Sequence, residues 1–193
     1  MEIIPLIRIQ KRKILTNQPE KTILDQLKDD EILYIYDLDG IERDKPNLCT
    51  FQRVSNSHQI WADSGPRNLG DVVDSFMAGA TKITVRPALW QNISIPTIRE
   101  ITENPIFMNI NLDVQKRVIN EKMLFQEADG LVNFNKKEQI ESDFKNSDLF
   151  RNLQTKNKIY SYEKDPRNIE YWKKQGVEGL LVEINQIKEL KQL

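Results

Sequence analysis

The chain has 193 residues, with 28 Lys and Arg against 29 Asp and Glu, a formal net charge of −1 and a mean hydropathy of −0.57. That length supports one domain with a real core; the balanced charge offers no basic stripe for nucleic acid, and no apolar run approaches the roughly 20 residues of a membrane span. Cys49 is the only cysteine and His58 the only histidine, so an internal disulfide, a multi-histidine metal centre and a pair of catalytic imidazoles are excluded.

Eight short apolar, β-branched runs follow one another. They are 2–9 (EIIPLIRI), 32–38 (ILYIYDL), 59–64 (QIWADS), 82–87 (KITVRP), 106–112 (IFMNINL), 130–135 (GLVNFN), 158–162 (KIYSY) and 179–184 (GLLVEI). Most do not alternate, as expected of parallel strands buried on both faces. The first opens the chain directly, with no basic stretch leading into an apolar one, so no signal peptide is expected. With a single cysteine, the expectation is a cytoplasmic protein.

Helical patterns fill most of the gaps. EKTILDQLKDD carries Ile23, Leu24 and Leu27 on one face behind Pro19. NLGDVVDSFMAGA has Asn68 as N-cap, a stripe of Val72, Val73, Phe76 and Met77, and Gly79 as a stop. IPTIREITEN spaces Ile95, Ile98 and Ile101 by three, VQKRVINEKMLFQEA is long and amphipathic, and KKEQIESDFKNSDLF is polar. NIEYWKKQG is capped by Asn168 and stopped by Gly176. No linker or composition break interrupts 1–193, so a single domain is expected.

Eight β-α alternations mean a TIM barrel or a doubly wound sheet. An internal repeat decides between them. Pro66-Arg67-Asn68 and Pro166-Arg167-Asn168 stand 100 residues apart, each followed by an aliphatic residue, a helix, a glycine and a strand. Half-barrel duplication predicts such a recurrence and a doubly wound sheet does not. The expected fold is a compact (β/α)8 TIM barrel with trimmed helices, since such barrels typically have about 250 residues.

Three segments carry a family resemblance: EIIPLIRIQKRKIL, then ILYIYDLDGIERDKPN with its Asn47, then IWADSGPRNLGDVVDSFMAGATKITV. In order, they resemble the first four strands of the ribulose-phosphate-binding barrels of histidine biosynthesis, the phosphoribosylformimino-aminoimidazole carboxamide ribotide isomerase and its cyclase sister. The Ile-, Lys- and Asn-rich composition suits a diverged branch of that family found in methanogenic archaea and methylotrophs. The resemblance implies a small phosphorylated metabolite bound at the C-terminal mouth, with no cofactor and no metal. Any surviving activity would be that of an isomerase or lyase.

The resemblance also marks what is missing. The family's acid–base pair stands at the ends of strands one and five. Here those positions hold Arg8, which stays protonated, and Asn111, which does not exchange a proton usefully. Asp113 is the nearest substitute. Of the glycine turns that cradle phosphate, Ser64-Gly65 survives, whereas Val85-Arg86-Pro87, Ser161-Tyr162-Glu163-Lys164 and Val182-Glu183 depart from the pattern.

Two readings follow. In the first, a rebuilt polar site uses Arg8 and Arg86 as anion clamps and a catalytic carboxylate from Asp37, Asp39 or Asp113, with Asp37 or Asp39 as base. Asn47, Ser64, Gly65, Arg67 and Asn111 complete its binding set. In the second, Arg8 neutralises Asp37, closing the mouth of a catalytically inactive barrel that acts through association with a partner or with its own copies, as a homo-oligomer. An ion-paired mouth favours the second reading, and an open, positive mouth the first. Both expect a direct contact of Arg8 with Asp37 or Asp39. Trp61 and Trp90 read as packing residues rather than stacking platforms. Cys49 reads as inert, and His58 as structural at the barrel's bottom.

Overall fold

The computed structural model describes residues 1–28, 30–90, 92–110, 127–141 and 144–187. Eight parallel strands close into a barrel: β1 (Glu2–Gln10), β3 (Ile32–Asp37), β4 (Gln59–Asp63), β5 (Ala80–Val85), β6 (Ile106–Ile110), β7 (Gly130–Asn133), β8 (Ile159–Glu163) and β9 (Gly179–Glu183). Each pairs with the next, and β9 returns to β1 through Glu2↔Gly179 to Leu6↔Glu183. A ninth strand, β2 (Lys13–Ile14), is not apparent as a separate apolar run. It folds back antiparallel on the end of β1, with Gln10 opposite Lys13.

Helices cover the outside: α1 (Glu20–Leu24), α2 (Leu38–Arg43), α3 (Leu48–Val54), α4 (Leu69–Met77), α5 (Ile95–Arg99), α6 (Lys137–Glu141), α7 (Phe144–Gln154) and α8 (Ile169–Gln175). They are short, as expected for a barrel of this length. The first is cut to five residues, and the amphipathic segment expected over 114–128 lies almost wholly outside the described residues. Two helices, α2 and α3, occupy the β3–β4 connection, where Asp-Gly and Pro-Asn suggest only turns.

Capping chemistry sets several helix ends. The Asn68 side chain accepts from the Asp71 amide at 3.1 Å, and the Ser94 hydroxyl from the Thr97 amide. Gly176 closes α8 in the left-handed conformation, φ 68°. Asn168 stands at the start of α8 but makes no side-chain cap, because Pro166–Asn168 forms a 3-10 turn ahead of it. On α4, Val72 is buried and Phe76 packs on the core, while Val73 and Met77 face outward.

Strand alternation divides the interior in two. One face of the strands meets the helices in a large apolar layer that includes Ile7, Ile9, Ile35, Phe51, Ile60, Val72 and Trp172. The other fills the barrel with Ile4, Leu6, Tyr34, Trp61, Phe107, Val132, Tyr160 and Leu181. Trp61 lies at its centre, with ring centroids 4.0 Å from Phe107, 4.9 Å from Tyr160 and 5.2 Å from Tyr34. The barrel is therefore a packed core whose chemistry is confined to its ends.

Candidate functional site

At the C-terminal mouth the lumen changes from apolar to charged. Alternation along β1 places Arg8 in the lumen above Ile4 and Leu6. Along β5 it places Arg86 just past the strand end, above Thr84. Asp63 on β4 and Glu183 on β9 complete the set. Arg86 and Asp63 form a two-point ion pair, Nε to Oδ1 at 2.8 Å and Nη2 to Oδ2 at 2.5 Å. Asp63 is fully buried and the Arg86 side chain 12% exposed. The Tyr34 hydroxyl donates to Asp63 Oδ2 at 2.8 Å, and Arg86 Nη1 donates to Asn109 Oδ1 at 3.3 Å. Burial pulls the Arg86 pKa down, but Asp63 more than offsets this and holds it above the usual arginine value. Burial, then the Asp63 charge, pushes the Tyr34 phenol well up.

Arg8 contacts neither Asp37 nor Asp39, contrary to the sequence expectation. Its Nε donates to Glu183 Oε1 at 2.8 Å, and the Tyr162 hydroxyl donates to the same oxygen at 3.0 Å. The reason is strand parity. The β1–β3 register pairs Arg8 with Tyr36 and Ile9 with Asp37, so Asp37 shares the outward side with Ile9. Burial lowers the Arg8 pKa less than the Glu183 hydrogen bond and charge raise it, leaving it above the usual value. Side-chain exposure is 30% for Arg8 and 25% for Glu183, so this pair meets solvent where Arg86–Asp63 does not.

An aromatic belt supports both arginines. Tyr36, Phe134 and Tyr162 follow one another at centroid distances of 5.1 and 5.4 Å. The Arg8 guanidinium carbon lies 4.9 Å from the Tyr36 centroid and 5.2 Å from that of Tyr162. That of Arg86 lies 5.1 Å from Tyr36 and 5.5 Å from Phe134. Two cations thus converge on one tyrosine, each oriented by a ring on its other side.

Asp37 and Asp39 build the rim outside this lumen. Asp37 is buried and caps α2 by accepting from the Gly40 amide at 3.1 Å. It also accepts from the Asn47 amide at 2.6 Å and from Asn47 Nδ2 at 2.7 Å. Burial raises the Asp37 pKa, with the Asn47 hydrogen bonds opposing. Asp39 accepts from the Lys11 amide, which holds its pKa below the ordinary value. The other side of Asn47 accepts from the Arg12 amide at 2.7 Å. The stretch Asp37–Asn47 therefore clamps the β1–β2 turn.

Ser64, Gly65 and Arg67 serve the same rim. A Cβ on Gly40 would stand 2.3 Å from the Ser64 carbonyl oxygen, and one on Gly65 (φ 65°) 2.8 Å from Ile41 Cα, so the two turns interlock through glycine. The Ser64 hydroxyl pairs with that of Ser75 at 3.0 Å, toward α4. The Arg67 guanidinium donates to the carbonyls of Gly40, Ile41 and Gly65 and to Asp44, covering the end of α2. Its repeat counterpart Arg167 is exposed and pairs with Asp165. Asn111 and Asp113 lie outside the described residues. Among those described, no group of three or more His, Cys, Asp and Glu could hold a metal ion, and no helix is long and apolar enough to cross a membrane.

Sequence reasoning brings Arg8 and Arg86 to one mouth, as the structure does. It misses Asp63, Glu183 and the aromatic belt. Period-two counting would have found the acids, from Trp61 to Asp63 on β4 and from Leu181 to Glu183 on β9, since each stands two residues from a lumen residue on its own strand.

Neither a protein-family model nor a curated protein sequence matches the chain. Among solved structures it is similar to the crystal structure of 3-hexulose-6-phosphate synthase from Salmonella typhimurium, at a TM-score of 0.60 and 14% identity, covering 94% of this chain and 88% of that one. At that identity the likeness establishes the (β/α)8 barrel fold.

Proposed function

We propose that the barrel binds a small phosphorylated metabolite at its C-terminal mouth, with Arg8 as the recognising cation. One observation carries this: Arg8 is held between Tyr36 and Tyr162 with its Nε on Glu183, yet its side chain remains 30% exposed at the lumen entrance. A guanidinium oriented in advance loses little freedom on meeting a phosphate and offers a two-point donor. TIM-barrel sites lie at this face, and the structural neighbour is by its name an enzyme of a sugar phosphate. Arg86, locked on Asp63, orients Tyr36 and so supports the site from below. Acid–base work, where it occurs, falls to Glu183 rather than to Asp37 and Asp39, which are committed to the rim.

Calorimetric titration with a panel of pentulose and hexulose phosphates is the test. Saturable binding is expected, and Arg8→Ala should weaken it roughly 10–100-fold, the worth of a hydrogen bond to a charged group. Binding by Arg8→Ala at wild-type strength would refute the assignment.

The resemblance to the histidine-pathway isomerase enters here as ancestry without its reaction. Arg8 occupies an acid–base position and is itself ion-paired. Expression of this chain in a strain lacking that isomerase is therefore expected to give no growth without histidine, and growth would contradict it.

One observation favours the inactive-barrel reading. Among the described residues both mouth arginines already have carboxylate partners, Arg8 with Glu183 and Arg86 with Asp63. If no phosphorylated compound binds and the protein self-associates in sedimentation, that reading replaces the first.

A further inference from the structure

We propose a second anion site, separate from the mouth, in the cleft between the β1–β2 turn and the α2–α3 connection, built for a phosphate-bearing small molecule. The cleft has a volume of about 440 Å³ and is bounded by Lys11, Arg12, Asp39, Arg43, Lys45 and Asn47. Its volume falls in the range of small-ligand sites.

Charge is the first argument. Four cations face one carboxylate, and that carboxylate is committed. Asp39 accepts from the Lys11 amide at 2.5 Å and from Asn47 Nδ2 at 3.2 Å, and lies 3.7 Å from Arg43. Lys11, Arg12 and Lys45 form no ion pair with a described residue. On a chain of net charge −1 this concentration is local. The four exposed cations rim one open cleft rather than a long stripe, which suits a compact anion better than a nucleic acid.

The backbone supplies a second, independent argument. Gln10 pairs with Lys13, so Lys11 and Arg12 are the two central residues of a hairpin turn, with φ of 51° and 64°. Such a turn favours Asn-Gly, because both positions need the left-handed conformation. The chain instead places two long cations there, against the turn's own preference. Asp44, the C-cap of α2, is also left-handed at φ 59°. Two of the four described non-glycine residues with positive φ thus line this one cleft, and Asp44 adjoins its lining residue Lys45. A partly buried network keeps the turn in place: Asp39 takes the Lys11 amide, Asn47 takes the Arg12 amide, and the buried Asp37 holds Asn47. Local backbone strain retained by a rigid surround is a mark of function. What it presents here is two cationic side chains on a fixed turn, opposite Arg43 and Lys45. Guanidinium and ammonium groups together suit a phosphate group.

The test uses the full chain and inorganic pyrophosphate, followed by amide NMR. Saturable shifts are expected at residues 11–13 and 43–47. Lys11→Asn/Arg12→Gly keeps both clamped amides and restores the preferred turn. It should lose binding at least tenfold while melting about 2–4 °C higher. Arg12→Glu/Lys45→Glu should abolish the shifts, and Arg8→Ala should leave them unchanged, which separates this site from the mouth. Absence of saturable shifts, unchanged affinity in the turn variant, or shifts centred on Arg8 and Arg86 would each overturn the proposal. So would preference for an acidic peptide such as oligoglutamate over pyrophosphate.

Discussion

Replacing Asp63 by alanine is expected to destabilise the fold by about 3–5 kcal/mol, the usual cost of stranding a buried charge. Among the described residues Asp63 is the only carboxylate paired with Arg86, through two short hydrogen bonds, and it also accepts from the Tyr34 hydroxyl. Without it, a guanidinium only 12% exposed keeps, among the described residues, one long hydrogen bond, to Asn109. The cost follows from geometry: the Tyr36 and Phe134 rings lie against the cation, which is only 12% exposed, so water has little access to replace the lost oxygens. For a domain of this length the melting temperature should fall by on the order of 10 °C. Substituting both partners together with apolar residues of similar volume should recover much of the loss, because a buried pair is itself a weak source of net stability. Urea denaturation of the single and double variants measures both effects. A single variant that melts like the wild type would mean that Arg86 is hydrated and the mouth open.

The second large effect falls on Asp37. Asp37→Ala leaves two buried donors, the backbone amides of Gly40 and Asn47, without their acceptor, and leaves the Asn47 side-chain amide with only its longer bond to Asp39. At 1–3 kcal/mol for each buried group left unsatisfied, with some relaxation, the loss should be about 3 kcal/mol. Its pH dependence runs opposite to that of a salt-bridged carboxylate. Burial raises the folded-state pKa of Asp37, so the folded chain binds this proton more tightly than the unfolded one. The linked contribution to stability is fully present below the ordinary carboxylate value and is lost as pH rises through the raised value. Asp39 has the other sign: its pKa is lowered, first by the Lys11 amide, so its contribution is present above the ordinary value and lost as pH falls through the lowered one. Denaturation followed from about pH 4 to 7 should show a shallower decline with rising pH in Asp37→Ala. An unchanged slope would place the Asp37 carboxylate in solvent.

These residues show how far the amino-acid order alone reaches. The eight strands and their closure are legible because parallel strands buried on both faces leave continuous β-branched runs, and because half-barrel duplication predicts the Pro-Arg-Asn repeat where an open sheet does not. The Asn68 and Gly176 helix ends are legible because their chemistry is local. What escapes depends on partners distant in sequence. Glu183 meets Arg8 only because β9 closes on β1, a pairing of residues 175 apart. Asp63 looks like the flank of a Ser-Gly turn until strand parity puts it inside. Asp37 and Asp39 suggest active-site acids because they end a strand. The flip of β3 directly into α2 turns the first into a helix cap and the second into the anchor of the neighbouring hairpin. Lys11 and Arg12 give no turn signal, since a Lys-Arg pair is among the poorer choices for that hairpin.

The proposed metabolite site is tested most directly by a crystal structure of the protein grown with a hexulose phosphate. The expected result is a phosphate within hydrogen-bonding distance of the Arg8 guanidinium, above the Tyr36–Phe134–Tyr162 belt, with the Arg86–Asp63 pair intact beneath it. An empty mouth with Arg8 still closed on Glu183 at saturating ligand, or a phosphate bound only in the Lys11–Lys45 cleft, would contradict it.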